Sequence, residues 1–303
     1  MNMEKKVIVI LGPSASGKTG LALEIGKKLD RSVLSADSRQ IYKGLDYSTG
    51  KIRLNSKTTY TKEEGKWMIN GINYWGYDNI EPNKEFSAGD FVNFTKKVLR
   101  KENNTPIICG GTGLYIAAIT GKVPLTKVPK NPQLREGLKE KSIEELHKNL
   151  EDLGFNLSSL NESELSNKQR LIRRVEIISS KKTKDIRYNL TKHVPENDYL
   201  FIGLKRKEYR TVIEKWIEEN FEEIEREIAE FLKIYPHSPL FSGFIFKEMK
   251  YYIKGFLNRK ETEEKIVTSY LQYIKRQTTY FKKYFPETKW FENSKEALEA
   301  ILV

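Results

Sequence analysis

VIVILGPSASGKT, Val7 to Thr19, carries a strand, a turn and the start of a helix in one unbroken run. Val7–Leu11 is an apolar, β-branched stretch ending at Gly-Pro, the pattern of a strand buried on both faces of a parallel sheet. From Thr19 to Leu29 the apolar residues Leu21, Ala22, Ile25 and Leu29 recur at the spacing of an amphipathic helix. Between strand and helix, Gly12, Pro13, Ser14, Ala15, Ser16, Gly17, Lys18 and Thr19 fit G-x-x-x-x-G-K-[ST] in the setting that this pattern needs. The glycines let backbone N–H groups converge on phosphate oxygens, and the helix N-terminus adds about half a positive charge. Lys18 supplies a movable ammonium, and the Thr19 hydroxyl is a ligand for Mg²⁺. A di- or triphosphate is the expected ligand; the motif alone does not say which.

Ser32–Ser35 reads as a second strand, Phe91–Arg100 as a helix, and Pro106–Cys109 as a third strand running into Gly110-Gly111-Thr112-Gly113. Strands alternating with helices predict an α/β fold: a P-loop NTPase-like parallel sheet, doubly wound, with helices on both faces. Ligands of such sheets bind at the carboxyl ends of the strands. After Gly121 the composition changes, with Pro124, Pro129 and Pro132 in a polar stretch, and helical patterns follow at Ile143–Leu153 and Glu164–Ser180. Residues 123–197 are expected to be an all-helical insertion domain between core segments 1–122 and 198–303, with Tyr199–Gly203 returning to the sheet as a strand. From Lys168 to Lys192 nine basic residues face two acidic ones, Glu176 and Asp185. Glu208–Glu230 is a long acidic helix, read as a solvated face.

The whole chain of 303 residues carries a formal charge of +12. That excess suits a polyanionic partner, nucleic acid above all, although a lysine-rich surface without such a partner gives the same count. Cys109 is the single cysteine, so an intrachain disulfide and a cysteine-based zinc site are excluded. His147, His193 and His237 lie far apart and show no ligand spacing. The apolar run before Gly12 is too short for a signal peptide or a membrane span, so a cytoplasmic protein without membrane attachment is expected.

Asp37 follows the second predicted strand and so belongs at the edge of the sheet beside the phosphate turn. There it is open to three readings: metal ligand, general base, or a cap on a turn. Taken together, GPSASGKT, SADSRQIYKGLD (Ser35–Asp46), FSAGDF (Phe86–Phe91), IICGGTGLY (Ile107–Tyr115), NKQRLIRRVEI (Asn167–Ile177) and KRQTTYFKK (Lys275–Lys283) resemble one family in order and spacing. It is the tRNA dimethylallyltransferases, also called tRNA isopentenyltransferases.

The resemblance implies that the phosphate turn grips dimethylallyl diphosphate, that Mg²⁺ assists, and that tRNA is the acceptor through its anticodon stem-loop. It implies that Asp37 takes the proton of the adenine amino group and that Thr112 stands near the transferring centre, with Lys18 on the leaving group. It further implies tRNA contacts from Asp37, Ser38, Arg39 and Gln40, from Gln169, Arg170, Leu171, Ile172 and Arg173, and from Arg135. Tyr270, Tyr273, Tyr280 and Phe281 either stack on bases or fill the core, since their spacing is helical. A monomer is expected.

This chain departs from the family in having no histidine within Asn73–Asn79, in Gly243–Lys247, and in Asn220, where many members carry an arginine that serves the diphosphate. A basic group must then come from elsewhere. Three other functions compete: a P-loop kinase for a small molecule, a prenyltransferase acting on free adenine nucleotides, and a non-catalytic RNA-binding protein. An intact Lys18, Thr19, Asp37 and Thr112 argues against the last.

Overall fold

The computed structural model describes residues 6–51, 58–63, 65–126, 128–180, 185–186 and 199–302. β1 (Val7–Leu11) is buried along its full length. α1 (Lys18–Leu29) starts directly after Gly17, which takes φ 97°, and turns Leu21, Ala22 and Ile25 inward. β2 (Val33–Ser35) follows. β3 (Tyr60–Glu63), β4 (Lys66–Ile69) and β5 (Ile72–Trp75) then form an antiparallel meander that the sequence reading did not anticipate. Its second turn is Asn70-Gly71, both at positive φ, the pair favoured in two-residue hairpins.

α2 (Ala88–Lys101) begins three residues before the predicted Phe91, because Ser87 and Asp90 form a reciprocal capping box. β6 (Ile107–Gly110) and α3 (Gly113–Ile119) complete the first half.

Residues 123–188 form a separate compact unit. It comprises β7 (Leu125–Thr126), α4 (Pro132–Lys139), α5 (Ile143–Asp152), α6 (Glu162–Leu165), α7 (Lys168–Ser179) and β8 (Asp185–Ile186). The expectation of an all-helical insertion is corrected here: β7 and β8 pair antiparallel where the segment begins and ends. The single helix expected over Glu164–Ser180 is two, since the Asn167 side chain accepts the Arg170 N–H and starts α7 afresh. Leu138, Leu146, Leu150, Leu171 and Val175 make this unit's core. The expected boundary at residue 197 lies outside the described residues.

The rest of the chain returns to the larger unit with β9 (Tyr199–Leu204), α8 (Arg210–Ile234), α9 (Phe244–Ile253), α10 (Arg259–Tyr284), β10 (Lys289–Phe291) and α11 (Ser294–Leu302). The eight-stranded sheet runs β10-β9-β1-β6-β2-β5-β4-β3. Its neighbours from β10 to β5 are all parallel, so the doubly wound sheet is present, with the meander added at one edge. Ile8, Ile10, Ile202 and Leu204 pack with Leu21, Ile25, Leu298 and Ile301, which places α1 and α11 on one face. Alternation along β9 sends Phe201 to the opposite face, against Phe285 at the end of α10.

α8 corrects the view of its segment as simply a solvated face. Glu214, Glu218, Glu219, Glu222 and Glu230 are exposed, but Ile213, Trp216, Ile217, Phe221, Ile224, Ile228 and Phe231 anchor a second core. That core includes α9, α10 and the loop residues Ile41, Tyr42 and Leu45.

Candidate active site

Close backbone approach explains the first glycine of the phosphate turn. A Cβ at Gly12 would stand 2.2 Å from the Leu204 carbonyl oxygen, so no side chain is possible where β1 meets β9. Ala15 holds φ 64°, uncommon for a residue with a Cβ and a mark of a tightly curled backbone. Lys18 is 9% exposed, and its ammonium donates to the Pro13 carbonyl at 2.5 Å and to Ser16 Oγ at 3.4 Å. The Tyr74 hydroxyl pKa is pushed well up by burial, and a hydrogen bond with Thr19 opposes this.

The loops after β2 and β6 are laced together beside this turn. The Ala36 N–H donates to the Cys109 carbonyl at 2.8 Å, and the Thr112 N–H donates to the Ala36 carbonyl at 3.0 Å. Thr112 Oγ1 accepts the Ser38 N–H at 2.9 Å. Gly110 admits no side chain, since its Cβ would lie 2.2 Å from the Ala36 carbonyl oxygen. Asp37 Oδ1 accepts the N–H groups of Arg39 and Gln40 at 2.9 and 3.4 Å, and Oδ2 lies over Gly111. Lys18, Thr19, Asp37 and Gly111 line one cleft of about 910 Å³. Burial raises the Cys109 thiol beneath them to about 11, so it is no nucleophile at neutral pH.

Two residues to which the sequence assigns no role, Arg206 and Gln277, reach the turns that form this cleft. Arg206, after β9, donates from Nε to the Ala15 carbonyl at 2.7 Å and lines the cleft. Asn220, by contrast, donates its amide to Trp216 O on its own helix at 2.8 Å and supplies no charge. From α10, Gln277 accepts the Ser14 N–H and donates to the Gly111 carbonyl, both at 2.9 Å. Burial raises the Tyr273 hydroxyl pKa and the Asp37 charge adds to it, while a hydrogen bond with Thr112 opposes both. Their neighbours Tyr270 and Phe281 are core, at 5% and 0% exposed.

The expected tRNA contacts separate on inspection. Gln169 and Arg170 are exposed on α7. Leu171 is 1% exposed, its side chain in the core of its unit, and Ile172 is half-buried against the same core. Arg135 and Arg173 both grip the buried Glu176, at 2.7 Å each. Arg173 also donates to the Val128 carbonyl at 2.6 Å. Burial alone would raise Glu176, but the two guanidinium groups and the Asn131 N–H outweigh it and hold it at about 2.

The Gln40 amide is spent between the Ser35 hydroxyl and the carbonyls of Thr49 and Gly50. Ser38 is tied to Thr112, and the Arg39 guanidinium lies against Gly243. Lys181, Lys182, Lys184, Arg187 and Lys192 lie outside the described residues.

Among the described residues no group of three His, Cys, Asp or Glu side chains could hold a metal. Mg²⁺ keeps most of its water and takes one or two protein ligands beside phosphate oxygens. The Thr19 hydroxyl in a cleft shared with Asp37 fits that demand. No described helix is long and apolar enough to cross a membrane.

The IPP transferase family profile matches residues 40–284. The tRNA dimethylallyltransferase 1 of Parabacteroides distasonis is 32% identical over 289 residues, spanning 91% of this chain and 88% of that one. The crystal structure of tRNA delta(2)-isopentenylpyrophosphate transferase from Staphylococcus epidermidis shares 26% identity at a TM-score of 0.61, covering 98% of this chain and 97% of its own. That of the full-length tRNA isopentenylpyrophosphate transferase from Bacillus halodurans, 23% identical, shares the fold at a TM-score of 0.65 and covers 98% and 94%. The phosphate turn, the laced loops and a profile match over most of the sequence agree: this chain belongs to the IPP transferase family.

Proposed function

We propose that this chain transfers the dimethylallyl group of dimethylallyl diphosphate to the exocyclic amine (N6) of the adenosine immediately 3′ of the anticodon in tRNA, releasing diphosphate. The observation that carries the reading is the placement of Asp37, in a loop that Ser38 fastens to Thr112, in the same cleft as Lys18 and the phosphate cradle. Relatives named tRNA dimethylallyltransferase support the choice of donor and acceptor.

An adenine amine is a weak nucleophile, because its lone pair is delocalised into the ring. The reaction therefore depends on neutralising the departing diphosphate and on aligning the amine with the allylic carbon. The amine nitrogen forms a bond to that carbon as the carbon–oxygen bond breaks, and the electron pair leaves with the diphosphate. Asp37 accepts the proton released by the amine. Lys18, the cradle amides and Arg206 meet the growing negative charge. Thr19 would hold Mg²⁺, which would supply further charge neutralisation.

Unstacking the target base costs a few kcal/mol. Contacts from Arg39, Arg170 and Gln169 offset that cost. We place the reaction in the cytoplasm and assign it to a monomer.

Purified protein with Mg²⁺, labelled dimethylallyl diphosphate and either tRNA or AMP tests the proposal. Label in tRNA is expected. Label in AMP alone selects the nucleotide prenyltransferase, and ATP hydrolysis without prenyl transfer restores the kinase.

A further inference from the structure

We infer that Gln277 is a positioning residue that holds the phosphate cradle in register with the Asp37–Thr112 loops, and that it governs use of the diphosphate rather than recognition of tRNA. The second clause rests on the reaction proposed above.

Tyr270, Tyr273, Gln277 and Tyr280 recur along α10 at helical spacing, and Gln277 is 5% exposed. Its Oε1 accepts the Ser14 N–H at 2.9 Å, and its Nε2 donates to the Gly111 carbonyl at 2.9 Å. One side chain thus joins the turn after β1 to the turn after β6, from a helix far along the chain.

The approach is close enough to dictate the residues beneath. A Cβ at Gly111 would stand 2.5 Å from Nε2, and a Cβ at Gly113 would stand 2.4 Å from the Tyr280 ring. α10 therefore lies against the turn on both sides of Thr112. Ser14 belongs to the expected cradle, but its N–H is directed to α10, leaving the amides beyond it to meet the phosphates.

The bridge needs an acceptor at one end and a donor at the other, which a carboxamide of this length provides. Glutamate has the same size but cannot donate to the Gly111 carbonyl, and it adds a negative charge beside the diphosphate. Methionine fills similar space and makes neither bond. If the bridge is broken, the cradle and Asp37 are free to drift apart, and a misplacement of about 1 Å costs roughly a hundredfold in rate.

Full-length Gln277→Glu and Gln277→Met test the assignment, using inorganic diphosphate with Mg²⁺ as the calorimetric probe alongside KM for both substrates. Each variant should weaken diphosphate binding and raise KM for dimethylallyl diphosphate by about tenfold, the loss of one to two hydrogen bonds, with Glu the more severe. The dissociation constant for tRNA should stay within about twofold of the parent.

Diphosphate binding unchanged in both variants overturns the assignment, as does tRNA affinity falling in step with it. A lower melting temperature with intact diphosphate binding also overturns it, by reducing Gln277 to packing. A parent protein that binds diphosphate but prenylates no tRNA would sink the proposed reaction and leave the calorimetric comparison standing.

Discussion

Glu227 and Glu176 each fasten a loop, one in each unit of this protein, and they do so with opposite electrostatics. Glu227, half-buried on α8, accepts the N–H groups of Asp46, Tyr47 and Ser48, closing the loop that begins at Asp37. Burial raises its pKa, and those backbone bonds do not make good the loss of water. Glu176, on α7, is 2% exposed, yet it is held at about 2 because Arg135 and Arg173 stand beside it. At Glu227 the bonds from the loop do not offset the loss of water, whereas at Glu176 two guanidinium groups and one N–H do. The carboxyl of Glu227 is thus shifted up by its burial, and that of Glu176 is shifted down by its two cations.

Four experiments break or sharpen this division, beginning with the largest effect. Asp37→Ala should lower single-turnover prenyl transfer by about a thousandfold or more, while tRNA binding, read by filter retention, stays within about tenfold. Binding that collapses with transfer would show that the catalytic unit is not separable from recognition.

Glu176→Ala removes the carboxylate that Arg135 and Arg173 share and should destabilise the unit of residues 123–188 by about 3–5 kcal/mol, read as a shift in urea midpoint. Its ordinary value is 4.5 and its folded value about 2, so its contribution is present at neutral pH and fades as pH falls through that window. Glu227 has the reverse sign. Its folded value is raised, so its contribution is full below the unfolded value and is lost as pH rises through the folded one. Urea midpoints measured against pH in the parent and in Glu176→Gln should lose the acid-side slope only in the variant.

Glu227→Gln exchanges an acceptor for a donor facing backbone N–H groups. The cost should be about 1–3 kcal/mol, seen as a lower midpoint in the transition of the catalytic unit. A neutral result would mean that the loop at Asp46–Ser48 is held by its other bonds, including those of Lys51 to Asp46 and Asp78.

The smallest effect separates two arginines on one helix. Arg170→Glu should reduce the slope of log K against log salt for tRNA by about one and leave melting unchanged. Arg173→Glu should chiefly lower the melting temperature, because it faces Glu176. Equal salt slopes for both variants would remove the distinction drawn between them.

Much of the catalytic unit could be read from local pattern. β1, the phosphate turn and α1 are contiguous, and each is specified by its own residues: an apolar run, glycines and helical spacing. Asp37 and Thr112 were placed at the sheet edge because both follow strands that end there. The meander from Tyr60 to Trp75 carries a hairpin signal in Asn70-Gly71, but its strands mix Lys, Asn and Glu with apolar residues and so lack a clear strand pattern. The many glutamates of α8 suggest a solvated face and mask its inward stripe, from Ile213 to Phe231.

From the sequence alone came the parallel sheet, the site at its carboxyl edge, and the chemistry available there, since backbone conformation and phosphate binding answer to neighbours in the chain. Tertiary structure alone decided which of several like residues are committed elsewhere. Arg173 is spent on Glu176 while Arg170 is exposed, and Gln277 reaches Ser14 across most of the chain. Pairings of that kind depend on which surfaces meet when the cores close. Burial then fixes their strength, and residue spacing carries no record of it.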